Sequence, residues 1–303
     1  MKINLIQIFL LLISFNVFSS CNSSKRVIKA SVNKDVSKNG VMAPIIEKDN
    51  FSKKDSLIND SKNKVIEEQP LSKDSIQIPS EEKTEKAITS NIHELWNLLL
   101  QKHVAENGFV NYAGLKKDQP ILTKYLRILQ EHLIDENASK EKKLAFWINV
   151  YNAYTVQLIL NNYPVNSIKD IKDPWGTRFF KLGKKWYNLN DVEHKILRKM
   201  DEPRIHFAIV CASISCPKLQ NTAFTAATLE KQLEEATNIF INDPTKNTIG
   251  EKRLELSLIF RWFSKDFKTK GSLISFIKPY VNTEITETTR ISYQKYDWGL
   301  NGK

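Results

Sequence analysis

The stretch KEKKLAFWINVYNAYTVQLILNNYP, residues 140–164, constrains the fold more than any other part of the chain. Its hydrophobic residues lie nearly all round a helix instead of along one stripe. A helix apolar on every side is a buried one, so other elements must wrap it. Pro164 ends it, because proline cannot continue the hydrogen-bond ladder. The chain has material for such a wrapping, with 41% hydrophobic and 10% aromatic residues. Asn149 and Asn152 are three apart and share a face of this helix. A buried amide without partners costs about 1–3 kcal/mol. Both must therefore meet something polar, either the backbone of a packed loop or a site.

The elements around this helix are short and mixed. SNIHELWNLLLQKHV carries a helical stripe through Ile92, Leu95, Trp96, Leu99 and Val104, with Ser90 or Asn91 as cap. NGFVNYAGL reads as a turn with a short extended piece, and residues 120–133 as an amphipathic helix. His93, His103 and His132 fall on these helices with no acid or thiol at ligand spacing, which points to surface or rim positions. FKL and KWYNL form a hairpin around Gly183-Lys184. A helix capped by Asn190 follows, with Glu193 at its third position as in a capping box. RIHFAIV is apolar throughout and fits an interior strand. Helices at 226–241 and 271–281, a strand pair over 248–259 and a terminal extended segment complete the pattern. There is no regular βαβ rhythm and no internal repeat. The expected class is α+β: a mostly helical single domain with a small mixed or antiparallel sheet. The length, 303 residues, admits one large or two small domains.

The N-terminus sets the compartment. MKINLIQIFLLLISFNVFSSC has one early lysine, an apolar run from Ile3 to Phe18, then Ser19-Ser20-Cys21. This is the layout of a signal peptide over residues 1–20. The run is short for a spanning helix and is interrupted by Asn4, Gln7 and Asn16. Small residues directly before a cysteine resemble a bacterial lipoprotein cleavage box, although Phe18 stands where leucine is commoner. That reading makes Cys21 a lipidation site and the chain's link to the membrane. Each buried methylene of an acyl chain adds roughly 0.8 kcal/mol, so several chains hold firmly. The competing reading is an ordinary signal peptide that leaves Cys21 free. Residues 21–88 are rich in Lys, Ser, Asn, Asp and Glu with only short apolar islands, the composition of a disordered tether. The folded domain is expected over 89–303. The expected location is the bacterial cell envelope, as an outer-membrane lipoprotein. No acidic run follows Cys21, which favours the periplasmic face.

Several blocks together resemble the DUF547 family. They are AFWINVYNAYTV (145–156), LNDVEHKILR (189–198), DEPRIHFAIVCASISCPKL (201–219), IFRWFSKDF (259–267) and ISYQKYDWGLN (291–301). Order and spacing agree from about residue 90 to 303. The resemblance implies a domain and a set of motif positions, but no reaction. It also implies that bacterial-type members show both cysteines of the CASxSCP block, whereas plant-type members can lack one or both. An activity shared by the family would then not rest on thiols alone. One departure is Asp201-Glu202-Pro203, which carries an extra residue where DPR is usual.

The chemistry of 204–219 has competing readings. In the first, Cys216 is the nucleophile of a cysteine hydrolase or acyltransferase. Pro217 would open a helix whose positive end lowers the thiol pKa. His206 or His194 would be the base, and Glu193, Asn149 or Asn152 would orient it. If 205–211 is a strand, His206 and Cys211 face opposite ways, so Cys216 is the better nucleophile. In the second, Cys211 and Cys216 form a disulfide, the default in an oxidising compartment. A ring this small implies roughly 2 kcal/mol of stabilisation. A redox role finds no support in the spacing, which is wider than C-x-x-C. In the third, Glu193, His194, His206 and the two cysteines hold a metal. Adjacent Glu193 and His194 face different ways, and no paired ligand spacing appears, so neither metal nor other cofactor is expected. In the fourth, His194 and His206 are structural and Glu193 serves only its helix cap. Trp147, Trp186, Tyr187, Trp262, Phe263, Tyr296 and Trp298 read mainly as core, with a ligand platform as the alternative. The net charge of +11 attracts anionic surfaces, but the lysines are scattered without a basic-aromatic array, which argues against nucleic acid. The favoured cleft lies between 145–156, 189–198 and 204–219. It would take an unknown peptide, glycan or protein ligand.

Overall fold

The computed structural model describes residues 91–303. The signal peptide, Cys21 and the tether lie outside the described residues. Nine α-helices and two small sheets make up the described fold, which is α+β and mostly helical. The helices are α1 (Glu94–His103), α2 (Tyr112–Lys117), α3 (Gln119–Glu131), α4 (Lys140–Asn162), α5 (Leu189–Lys195), α6 (Leu229–Asn242), α7 (Leu258–Trp262), α8 (Ser264–Phe267) and α9 (Leu273–Ile277). The strands are β1 (Phe180–Leu182), β2 (Lys185–Tyr187), β3 (Thr248–Ile249), β4 (Arg253–Leu256) and β5 (Arg290–Tyr293).

Helix α4 is the central helix that its composition demands. Ser139 caps it by accepting from Lys142 N–H, and its residues from Leu144 to Val156 are all buried. The two asparagines are satisfied by loop backbone. Asn149 donates to the Phe224 carbonyl at 2.8 Å and accepts from Phe224 N–H at 3.0 Å. Asn152 donates to the Ala208 carbonyl and accepts from Val210 N–H, each at 2.9 Å.

Strands β1 and β2 form an antiparallel hairpin that turns at Gly183, whose φ of +55° suits glycine. The second sheet is mixed: β3 runs antiparallel to β4, and β4 pairs parallel with β5. Two apolar clusters divide the fold. One gathers around α4, and the other packs Phe240, Phe260, Phe267 and Ile277 against the mixed sheet. Phe207 belongs to the second cluster while its neighbours Ile205 and Ala208 belong to the first. The segment around residue 207 therefore runs along the seam.

Several expectations are corrected here. Residues Pro203–Phe207 form a 3-10 helix, not the start of an interior strand. Pro203 presets a helical turn, and the side chain of Asn152 takes the backbone groups of Ala208 and Val210 that a neighbouring strand would otherwise bond. Asn188, not Asn190, caps α5, accepting from Asp191 N–H at 2.7 Å. Pro217 opens no helix; the next one, α6, begins at Leu229. Part of NGFVNYAGL is helix α2, capped by Asn111. Asn91 closes a turn onto His93 N–H ahead of α1 but does not cap it. His93 and His103 are buried, bonded to the Tyr125 hydroxyl at 2.7 Å and to Asp118 Oδ2 at 2.6 Å; His132 is exposed. Among the described residues, no helix is long and apolar enough to cross a membrane.

The segment 299–303 is tied in on three sides. Gly299 bridges to Ser167, Leu300 to Ser213, and Gly302 to Val110. A Cβ on Gly302 would overlap the Val110 carbonyl, so only glycine fits this close approach.

Candidate functional site

A cavity of about 210 Å³ opens at the seam. Its lining includes Tyr151 of α4, Asn190, Glu193 and His194 around α5, His206, both cysteines with Pro217, and an aromatic wall. That wall comprises Trp175, Trp262, Phe263, Tyr296 and Trp298. Of the residues singled out in the sequence, Glu193, His194, His206, Cys211 and Cys216 meet here. Asn149 and Asn152 are not part of the lining and hold backbone instead.

The cap position explains Glu193. With Asn188 as cap, Glu193 lies in the interior of α5, on the buried face with Leu189 and Val192. Its carboxylate accepts from the Tyr151 hydroxyl at 3.2 Å. Burial pushes this carboxyl up to about 7, against the opposing pull of the Tyr151 hydrogen bond and the Arg198 charge. Such a group can give or take a proton near neutral pH.

A charged network stands beside it. Arg198 Nε and Nη2 donate to the two oxygens of Asp266 at 2.6 and 2.8 Å. His206 Nε2 stands 2.8 Å from Asp266 Oδ2 and, facing a carboxylate, is the donor. The guanidinium also lies 3.2 Å from His194 Nδ1. Arginine only donates, so Nδ1 accepts and the hydrogen of neutral His194 sits on Nε2. Burial lowers the pKa of both histidines; Arg198 lowers His194 further, while Asp266 opposes the fall at each. Burial pushes the Asp266 carboxyl up, but the hydrogen bonds from Arg198 and His206 outweigh it and hold it well below the usual range. The His206 ring stacks on Phe263 with centroids 3.9 Å apart.

Cys211 and Cys216 form a disulfide on the cleft lining. The Tyr296 hydroxyl donates to Cys216 Sγ at 3.2 Å, lies 3.3 Å from Cys211 Sγ, and accepts from Ser213 Oγ at 3.2 Å. Its ring is held 4.8 Å from Trp262 and 4.5 Å from Trp298. The aromatics expected in the core therefore divide. Trp147 and Tyr187 are buried, Trp186 is exposed, and the remaining four build the cleft wall.

Sequence reasoning passed over Tyr151, Arg198, Asp266 and the role of Tyr296. Arg198 had a signal, four residues beyond His194 within one block. Nothing local ties Asp266 to His206, sixty positions earlier. Among the described residues, no group of three or more His, Cys, Asp or Glu side chains is placed to hold a metal ion.

The fold and cleft define an α+β domain whose cavity combines an aromatic wall, a protonatable carboxyl and a disulfide. Residues 136–241 match the family model described as "Protein of unknown function, DUF547", and over that segment the chain carries the DUF547 domain. No curated protein and no solved structure matches the chain.

Proposed function

We propose that the cleft is the binding site of this DUF547 domain and takes a peptide or another envelope-derived ligand. The observation that carries the reading is the composition of the cavity. An apolar aromatic wall faces a small set of convergent polar groups, Glu193 and His194 among them, as in ligand sites generally. The disulfide closes the thiol route in this state. Tryptophan fluorescence reads binding, because Trp175, Trp262 and Trp298 line the cavity. Titration with short peptides and envelope glycan fragments is expected to find a ligand whose affinity falls about tenfold in Trp262→Ala. Equal affinity in the variant, or no ligand in either panel, sinks the proposal.

A second reading is a Cys/His-dependent hydrolase or acyltransferase. It is favoured by Cys216, His194 and His206 sharing one lining. It requires turnover of an acyl probe that appears with reductant and is lost in Cys216→Ser. Turnover that persists in that variant rules it out.

We further propose that Cys21 carries a lipid anchor and that the domain faces the periplasm from the outer membrane. The N-terminal residues support this reading. Cys21→Ser is expected to release the protein from the membrane fraction, and unchanged fractionation contradicts it.

A further inference from the structure

We propose that Cys211 and Cys216 undergo thiol–disulfide exchange with a thiol carried into the cleft on a small, flexible ligand. This goes beyond binding, and its test does not depend on the ligand sought above. Three observations carry it.

Both cysteines line the cavity, and Cys211 is half-buried while Cys216 is buried. Cys211 is the more exposed of the two residues, and its sulfur is the proposed point of attack. The second observation is the environment of the other sulfur. Cys216 Sγ accepts from Cys211 N–H at 3.0 Å and from the Tyr296 hydroxyl at 3.2 Å. A sulfur in a disulfide is a weak acceptor and gains little from two donors. The same donors become strong once the sulfur carries a negative charge. They stand where the helix end expected after Pro217 would have acted. The third is the loop itself. Ala212 has φ +57°, a region that side-chain-bearing residues rarely adopt, and its carbonyl is held by Asn301 N–H at 3.2 Å. Such conformations persist where surrounding structure imposes them, and they gather at functional loops.

A ligand thiolate, its thiol having released a proton, attacks Cys211 Sγ. The S–S bond breaks, and its electron pair leaves on Cys216 Sγ as a thiolate held by the two donors. A mixed disulfide remains on Cys211. A second ligand thiolate attacks the ligand sulfur of that bond, releasing a ligand disulfide and the Cys211 thiolate. Two thiols are oxidised to one disulfide, the protein pair is reduced to two thiols, and the two protons pass to the cysteines. Run in reverse, the reduced pair opens a ligand disulfide.

The test uses the full chain and glutathione as the probe. Native protein is treated with reduced glutathione, quenched with iodoacetamide and mapped by mass spectrometry, which separates Cys21 from the other two. The expected result is alkylation of Cys211 and Cys216 without denaturant. In Cys216→Ser, oxidised glutathione is expected to leave a stable adduct on Cys211. In Cys211→Ser, thiolate absorbance at 240 nm, taken as the difference from the Cys211→Ser/Cys216→Ser double variant, should titrate below the ordinary thiol value of about 8.5. Tyr151, Glu193, His194, His206 and Tyr296 face the same cleft in both proteins; their own absorbance cancels in the difference, while their charges contribute to the midpoint that is read. Adding Tyr296→Phe should raise that midpoint. A bond that opens only in denaturant, or a Cys216 titrating at or above the ordinary value, overturns the proposal and leaves a structural staple. Neither result requires the Tyr296→Phe variant to fold.

Discussion

Replacing Glu193 with glutamine should make this protein more stable, and only above mildly acidic pH. The side chain is buried, and its proton affinity rises from an ordinary value of 4.5 to about 7, chiefly through burial. The folded protein therefore keeps the proton up to about pH 7, whereas the unfolded chain releases it near 4.5. Between those limits the folded state binds more protons, so stability falls as pH rises. Above pH 7 both states are ionised and the loss is complete. The gap between 4.5 and about 7, at about 1.4 kcal/mol per tenfold change in proton affinity, amounts to about 3 kcal/mol. Glutamine resembles the protonated acid in shape and can still accept from the Tyr151 hydroxyl. Denaturant unfolding of both proteins from pH 4 to 8.5 isolates the effect, because Tyr151, Arg198 and Tyr296, which feel the Glu193 charge, all titrate above that range. The expectation is near-equal stability at pH 4 and a gain of about 3 kcal/mol for Glu193→Gln at pH 8. A difference that stays constant with pH, or a variant weaker at pH 8, would refute the reasoning.

Asn152→Ala strips partners from the buried Ala208 carbonyl and Val210 N–H and should lower unfolding free energy by about 2–4 kcal/mol, read by denaturant midpoint. Asp266→Asn should cost about 1–2 kcal/mol at pH 7, less than a fully buried pair, because its side chain is 21% exposed. That cost should vanish as pH falls through the depressed pKa of Asp266, and His206 should titrate lower still by NMR, having lost the carboxylate that opposes its burial. Gly302→Ala should open the bridge to Val110. Amide exchange at Val110, whose N–H donates to the Asn301 carbonyl, should accelerate at least about tenfold.

Helix α4 was legible because its apolar residues surround it, and the hairpin because Gly183 marks a turn between two strand-like runs. The α5 cap was harder, since Asn188 and Asn190 are both good caps in one short sequence. Two residues of error rotate a helix by about 200°, enough to turn Glu193 from a cap partner into a cleft residue. The 205–211 run imitates a strand because burial, not sheet pairing, dictates its apolar content. Two of its backbone groups, the Ala208 carbonyl and the Val210 N–H, go to Asn152, a side chain more than fifty residues away. The aromatic wall is hard to tell from core for a related reason. Composition marks Trp262 and Trp298 as hydrophobic, but only the folded chain shows that Trp262 is 45% exposed.

The site is divided along the chain in a way that bears on the family match. Residues 136–241 contain Glu193, both cleft histidines and both cysteines. Asp266, which anchors Arg198 and His206, comes later, as do Trp262, Phe263, Tyr296 and Trp298. A fragment cut at the matched bounds would keep Glu193, His194 and His206 but lose Asp266, the partner of Arg198 and His206. The smallest piece able to present this cleft runs at least from Val110, which receives Gly302, to Gly302 itself. Transplanting the matched segment alone would leave the pocket without most of its aromatic wall.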